Sequence, residues 1–281
     1  MINVNEKKGE EMKHKKMIIV VVTMLFILSL ILSYDAIKYR AEQREDQKQV
    51  PFILIPGTDA DGDRFDTFMN DLMKKTGQRG ILKINVNTDG TTQCTSSLTK
   101  NSSHPFIVIS FSDSSENGVV EQAKWTEIAM KKAHQLYSFK SYNALGHSNG
   151  GLVWTLFLEN EAQTSDSQMQ NLITIATPYN YLDENANPYP NRAALIETDQ
   201  LKQMIRKKSK IPHHLRMFSI AGNDENDSDG VVPLTSALAS RKIYKNEVDS
   251  YTEKIFDGSD AQHNQLTENQ EVIDYIFHTL Y

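Results

Sequence analysis

At 281 residues the chain is long enough for one large α/β domain plus a modest extra segment, and too short for two catalytic domains. Its net charge of −6 is spread along the chain and forms no basic stripe, which argues against nucleic acid as a partner. The single cysteine, Cys94, excludes an internal disulfide and any cysteine cluster for zinc or iron; within the polar run 91–97 it has no neighbouring base that would make it a thiolate.

Residues 1–16 are polar and lysine-rich and read as a cytoplasmic tail. From Met17 to about Tyr34 the chain is almost uncharged and apolar on every side, near the lower limit of bilayer-spanning length and unlike a core helix, which keeps one polar face. The stretch is long for a cleaved signal and no Ala-x-Ala follows it, so a retained transmembrane anchor is favoured over a signal segment. Lys7, Lys8, Lys13, Lys15 and Lys16 precede the span, and Lys38, Arg40, Arg44 and Lys48 follow it. This slight bias puts the N-terminus in the cytoplasm and the rest outside it, bound to the cell membrane or secreted if the segment is cleaved. Residues 35–49 are charged, lack an apolar face and suit a solvated stalk.

The folded domain is expected over 50–281. Val50 to Ile55 is a short apolar run stopped by Pro56-Gly57, as a central parallel strand would be. Similar runs recur at Ile81–Val86, Phe106–Phe111, Leu172–Ala176, Leu215–Ala221 and Tyr251–Phe256, and Ser141–Leu145 reads as a further short strand. Helical spacing of apolar residues marks Asp66–Lys75, Gly118–Ser138, Gly151–Glu161 and Glu268–Tyr281. The alternation predicts a mostly parallel sheet with helices on both faces.

Gly146-His147-Ser148-Asn149-Gly150-Gly151 places one serine between glycines where a strand pattern meets a helix pattern. A tight turn there lifts the hydroxyl clear of the backbone, and the flanking positions must be small for the chain to turn so closely. Between Tyr179 and Pro212 lies a tyrosine- and proline-rich segment with a helical run, a small insertion expected to cap the serine and to suit an apolar acyl or aryl group. Its basic run 206–210 reads as a solvated helix end.

After the 215–221 run comes 222–233, with Asp224, Asp227 and Asp229. Functional residues collect at the carboxyl ends of strands in an open sheet. Asp229 is preferred because Gly230 permits a sharp turn and Val231-Val232-Pro233 gives rigid apolar support. A calcium loop beginning at Glu225 fails at its twelfth position, Ser236, where a bidentate glutamate is needed. Asp59, Asp61 and Asp63 read as a polar loop. No metal site and no organic cofactor are expected.

His263 lies in the loop before the last helix, where an imidazole can reach the serine. The other histidines are weaker candidates. His14 precedes the apolar span, His134 and His278 fall in helices, His104, His213 and His214 precede strands, and His147 is expected to point away. Acyl transfer then assigns the roles: Ser148 attacks, His263 takes its proton, and Asp229 holds the imidazole and stabilises its cation. Backbone amides of Asn149 and of Thr58, after Pro56-Gly57, are the expected oxyanion hole.

These motifs, with Leu152 after the glycine pair, Ser228-Asp229-Gly230-Val231-Val232-Pro233 and His263-Asn264-x-Leu266, resemble those of the α/β-hydrolase superfamily over residues 51–281. More narrowly they are similar to a subgroup of bacterial, mainly Gram-positive, cell-surface hydrolases. The resemblance implies the α/β-hydrolase fold, and its likeness to lipases and carboxylesterases implies ester hydrolysis with Ser148, Asp229 and His263 as nucleophile, acid and base. One departure is that Pro56-Gly57 stands where the family commonly has His-Gly. The expected function is a serine carboxylesterase acting on a small-molecule or lipid-like ester. Its rivals are a lipase, thioesterase or peptidase on envelope material, and a surface binding protein that keeps the fold without catalysis.

Overall fold

Most of the apolar runs become strands of one sheet, and the alternation of side chains along each strand decides which helices cover which face. The computed structural model describes residues 4–48, 50–99, 102–160, 162, 167–188, 196–224 and 227–281, in two units, 1–48 and 49–281. The first unit is one continuous helix, α1 (Val4–Lys48). Its segment His14–Lys38, 25 residues, is long and apolar enough to cross a membrane. The charged residues after the span continue the same helix to Lys48, as their helix-forming side chains favour; residue 49 lies outside the described residues.

In the second unit the strands are β1 (Phe52–Ile55), β2 (Ile81–Val86), β3 (Thr92–Ser96), β4 (Phe106–Phe111), β5 (Ser141–His147), β6 (Gln168–Ile175), β7 (Arg216–Asn223) and β8 (Ser250–Asp257). They form one sheet in the order β3-β2-β4-β1-β5-β6-β7-β8, parallel throughout except for the antiparallel pair β2–β3. The helices are α2 (Asp66–Thr76), α3 (Val119–Leu136), α4 (Asn149–Asn160), α5 (Asp199–Lys207), α6 (Leu234–Ala237), α7 (Arg241–Tyr244) and α8 (Gln270–Leu280).

β1 lies mid-sheet and is buried along its length. Because side chains alternate across a strand, Ile53 and Ile55 of β1 and Ile107 and Ile109 of β4 join one core with Ala123, Met130, Trp154 and Phe157 of α3 and α4. Phe52, Leu54, Phe106 and Val108 face the other way, onto Phe68 and Leu72 of α2 and Val272, Ile273 and Ile276 of α8. The two-sided cover explains why these strands read as continuous apolar runs rather than alternating ones.

Two differences from the expected elements have local causes. Within the polar run 91–97, where the apolar pattern predicts no strand, Thr92–Ser96 is an edge strand, β3, mostly exposed, with Cys94 opposite Ile84 of β2. An exposed polar edge carries no apolar run to betray it, and its polarity discourages pairing with other chains. α8 starts two residues later than its apolar pattern, because the Asn269 side chain accepts hydrogen bonds from the amides of Glu271 and Val272 and caps the helix there.

Candidate active site

Four parallel strands, β1, β5, β7 and β8, release the chain at the same carboxyl edge of the sheet, and all five expected site residues follow one of them. Ser148 alone joins β5 to α4, with φ 53°, a left-handed conformation that costs a side-chain-bearing residue about 1–2 kcal/mol. Its amide donates to Ile175 O at 2.8 Å and its carbonyl accepts from Gly151 N at 3.0 Å, so the turn is held from both sides. The glycines are dictated by contact. A Cβ on Gly146 would lie 2.5 Å from the Gly150 carbonyl carbon, one on Gly150 would run into Ile55 O, and one on Gly151 into the Thr177 hydroxyl.

The loop after β1 comes equally close. A Cβ on Gly57 would lie 2.7 Å from Ser148 Cβ. Glycine at 57 is therefore the half of the Pro56-Gly57 pair that this approach demands, and the departure at 56 leaves the approach intact. Beyond it, Asn149 Nδ2 donates to Thr58 Oγ1 at 2.6 Å, tying the β1 loop to the first residue of α4. The side chains of the two expected oxyanion residues thus bond to each other.

Asp229 is buried and follows β7. Its Oδ1 accepts the amides of Val231 (2.9 Å) and Val232 (2.6 Å), a bend that Gly230 makes available with φ 86°. Its Oδ2 accepts His263 Nδ1–H at 2.7 Å, and its backbone carbonyl accepts His263 N at 2.8 Å. The backbone bond fixes where His263 starts and the carboxylate fixes how its ring is turned. Support from 231–233 acts through the amides of Val231 and Val232 and through the buried side chain of Val232, while Val231 is exposed and lines the cavity. Of the rival carboxylates, Asp224 accepts from Gln262 Nε2 at 2.9 Å, while His263 Nδ1 is taken by Asp229. Glu225 and Asn226 lie outside the described residues.

Ser148, His263, Thr58 and Asn149 line one cavity of about 670 Å³, with Asp229 behind His263. Leu182, from the segment after β6, also lines it, while residues 189–195 of the expected cap lie outside the described residues. Among the described residues no group of three or more His, Cys, Asp or Glu is arranged to hold a metal ion. Asp63 and Asp66 instead pair with Lys83, at 2.7 and 2.6 Å.

His147 differs from expectation. Rather than pointing away, it places its ring centroid 4.8 Å from that of His263, and its Nε2–H donates to His263 O at 3.0 Å. Arg64 also holds this loop, donating to Asn264 O at 2.6 Å. Neither contact carries a sequence signal, because each joins residues more than a hundred positions apart. Burial, helped by the His263 and Arg64 charges, pushes His147 down from 6.5 to about 3, against a small opposing effect of its bond to His263 O. The unfolded chain therefore binds a proton between these values that the folded chain refuses, and stability falls as pH drops from 6.5 toward 3. A His147→Phe variant is expected to lose about 3 kcal/mol less than the parent between pH 7 and pH 4, read from urea midpoints. Equal losses in the two proteins would contradict this.

A family model described as "Alpha/beta hydrolase of unknown function" matches residues 40–281. The crystal structure of a gene product from Listeria innocua is 30% identical, with a TM-score of 0.76, covering 83% of this chain and 95% of its own. That of a candidate cell surface hydrolase from Lactobacillus plantarum is 34% identical, with a TM-score of 0.72, covering 83% of this chain and 92% of its own. An esterase from Pyrococcus furiosus, 12% identical with a TM-score of 0.52, covers 84% of this chain and 83% of its own and shares the fold. No curated protein matches the chain.

Proposed function

The chain belongs to the α/β-hydrolase family whose model spans residues 40–281, and from that membership and the geometry around Ser148 we propose that it is a serine carboxylesterase. The observation that carries the reading is the pairing of His263 Nδ1 with buried Asp229 at 2.7 Å in the loop that lines the Ser148 cavity. A proton held on Nδ1 leaves Nε2 with its lone pair, the form a general base needs.

In this reading His263 Nε2 takes the proton of Ser148 as Oγ attacks the ester carbon, and Asp229 stabilises the imidazolium. The carbonyl oxygen becomes an oxyanion that the backbone amides of Thr58 and Asn149 receive. His263 then returns the proton to the leaving alcohol, and Ser148 keeps the acyl group as an ester. Water, deprotonated by the same imidazole, releases the acid and restores the serine. Preorganised amides favour this chemistry because they need not reorient as charge develops.

The His14–Lys38 segment of α1 is proposed as an uncleaved anchor with a cytoplasmic N-terminus, so that the hydrolase works outside the cytoplasm on a small-molecule or lipid-like ester. The likeness to a candidate cell surface hydrolase of Lactobacillus plantarum supports this placement. The test is chemical. A fluorophosphonate reacts with activated serines, and the full-length protein is expected to carry one adduct, found by mass spectrometry on the peptide containing Ser148. An adduct elsewhere, or none on folded protein, overturns the proposal.

A further inference from the structure

A second, smaller groove opens from the Ser148 cavity. It has a volume of about 320 Å³ and shares Glu116, Asn149, Pro178 and Leu182 with that cavity. Its apolar wall is Val119 from the start of α3, Leu152 and Leu156 from α4, and Met204 from α5, with Val120 exposed at the rim. The opposite rim is held in place. Buried Asn180 accepts from Thr198 N at 2.9 Å and donates to Asn187 Oδ1 at 3.0 Å and Ile196 O at 2.9 Å. Gln200 of α5 donates to Pro178 O at 2.8 Å. The groove is therefore built before any ligand arrives.

Proton chemistry decides which half of an ester enters it. The leaving oxygen must lie beside His263, which protonates it, so the alcohol occupies the histidine side and the acyl group the opposite side. The histidine side is polar, lined by Arg64, Asn264, Gln265 and Glu268. The other side begins at Asn149, directly after the residue proposed as nucleophile, and runs into the groove, where Asn117, Asp199, Gln200 and Gln203 stand beside the apolar wall. We infer that the groove between α3, α4 and α5 is the acyl subsite, and that the substrate is an ester of a medium-length aliphatic acid with a polar alcohol. The inference rests on the serine-esterase reading of Ser148. A groove of this volume suits a chain of medium length, on the order of ten carbons or fewer.

The test measures kcat/KM of the full-length protein on p-nitrophenyl esters from acetyl to hexadecanoyl, each below its solubility limit. The parent is expected to gain about threefold per methylene up to about the octanoyl ester and then level off. Val120→Trp, on the exposed rim, and Leu156→Trp, in the wall, should each lower the octanoyl-to-acetyl ratio at least tenfold. A parent profile that peaks at acetyl, or keeps rising to hexadecanoyl, overturns the inference, as does an unchanged ratio in both variants. In those cases fluorophosphonate still labels Ser148 and the esterase reading stands. No hydrolysis of any ester, with no label on Ser148, sinks the esterase reading and the subsite together.

Discussion

Replacing Ser148 by alanine is expected to lower kcat for a short p-nitrophenyl ester by on the order of 10⁶-fold, with KM changed little. In the proposed mechanism the whole covalent route passes through the serine oxygen, whereas the groups that would bind ester and oxyanion lie on the backbone and in the neighbouring walls. Gly57, the Thr58–Asn149 tie and the glycine turn depend on no atom of the serine hydroxyl. The variant should therefore keep a residual rate about 10³–10⁴-fold above water, from binding and oxyanion stabilisation alone. Single-turnover assays that detect no burst of p-nitrophenol would complete the result. Activity within tenfold of the parent is incompatible with an acyl-enzyme at this position.

Asp229→Asn is expected to cost about 10⁴-fold in kcat although it changes one atom. The structure explains why the small change is severe. Oδ1 of Asp229 is fixed by the amides of Val231 and Val232, so the asparagine oxygen must take that seat. Its NH₂ group then faces His263 Nδ1, where the carboxylate oxygen had accepted a hydrogen bond at 2.7 Å. The imidazole has to turn its lone pair to Nδ1 and carry its proton on Nε2, which cannot then accept one from the serine. If Asp229 only braced the loop, asparagine would be harmless, since the backbone bond from His263 N to residue 229 survives. An asparagine variant within tenfold of the parent would remove Asp229 from the mechanism. Melting temperatures of parent and variant separate this loss from misfolding.

Much of the fold could be read from residues. Ile81–Val86 and Phe106–Phe111 coincide with β2 and β4 because interior parallel strands are apolar on both faces. The turn at Ser148 was legible because close approach of backbone at 146 and 150, and of the Thr177 side chain at 151, leaves room only for glycine. What was not legible depends on partners distant in sequence. β3 exists because β2 offers it an edge, not because TQCTS prefers to be extended. α6 and α7 are four residues each, too short for a helical period to register. The bonds from Asn149 to Thr58 and from His147 to His263 O are side-chain directions, set by tertiary packing after the chain has folded. The second groove was visible only as aromatic and apolar content near 179–212, since most of its apolar wall comes from α3 and α4.

The left-handed φ of Ser148 links activity to evolution. Glycine occupies that conformation freely, so Ser148→Gly relaxes the turn, and only the added freedom of the unfolded glycine chain, about 0.5–1 kcal/mol, works against it. On the proposed mechanism, the Ser148→Gly chain is inactive and yet at least as durable as the parent. Random mutagenesis selected for stability alone is then expected to admit glycine at 148, and selection for the proposed hydrolysis to restore serine.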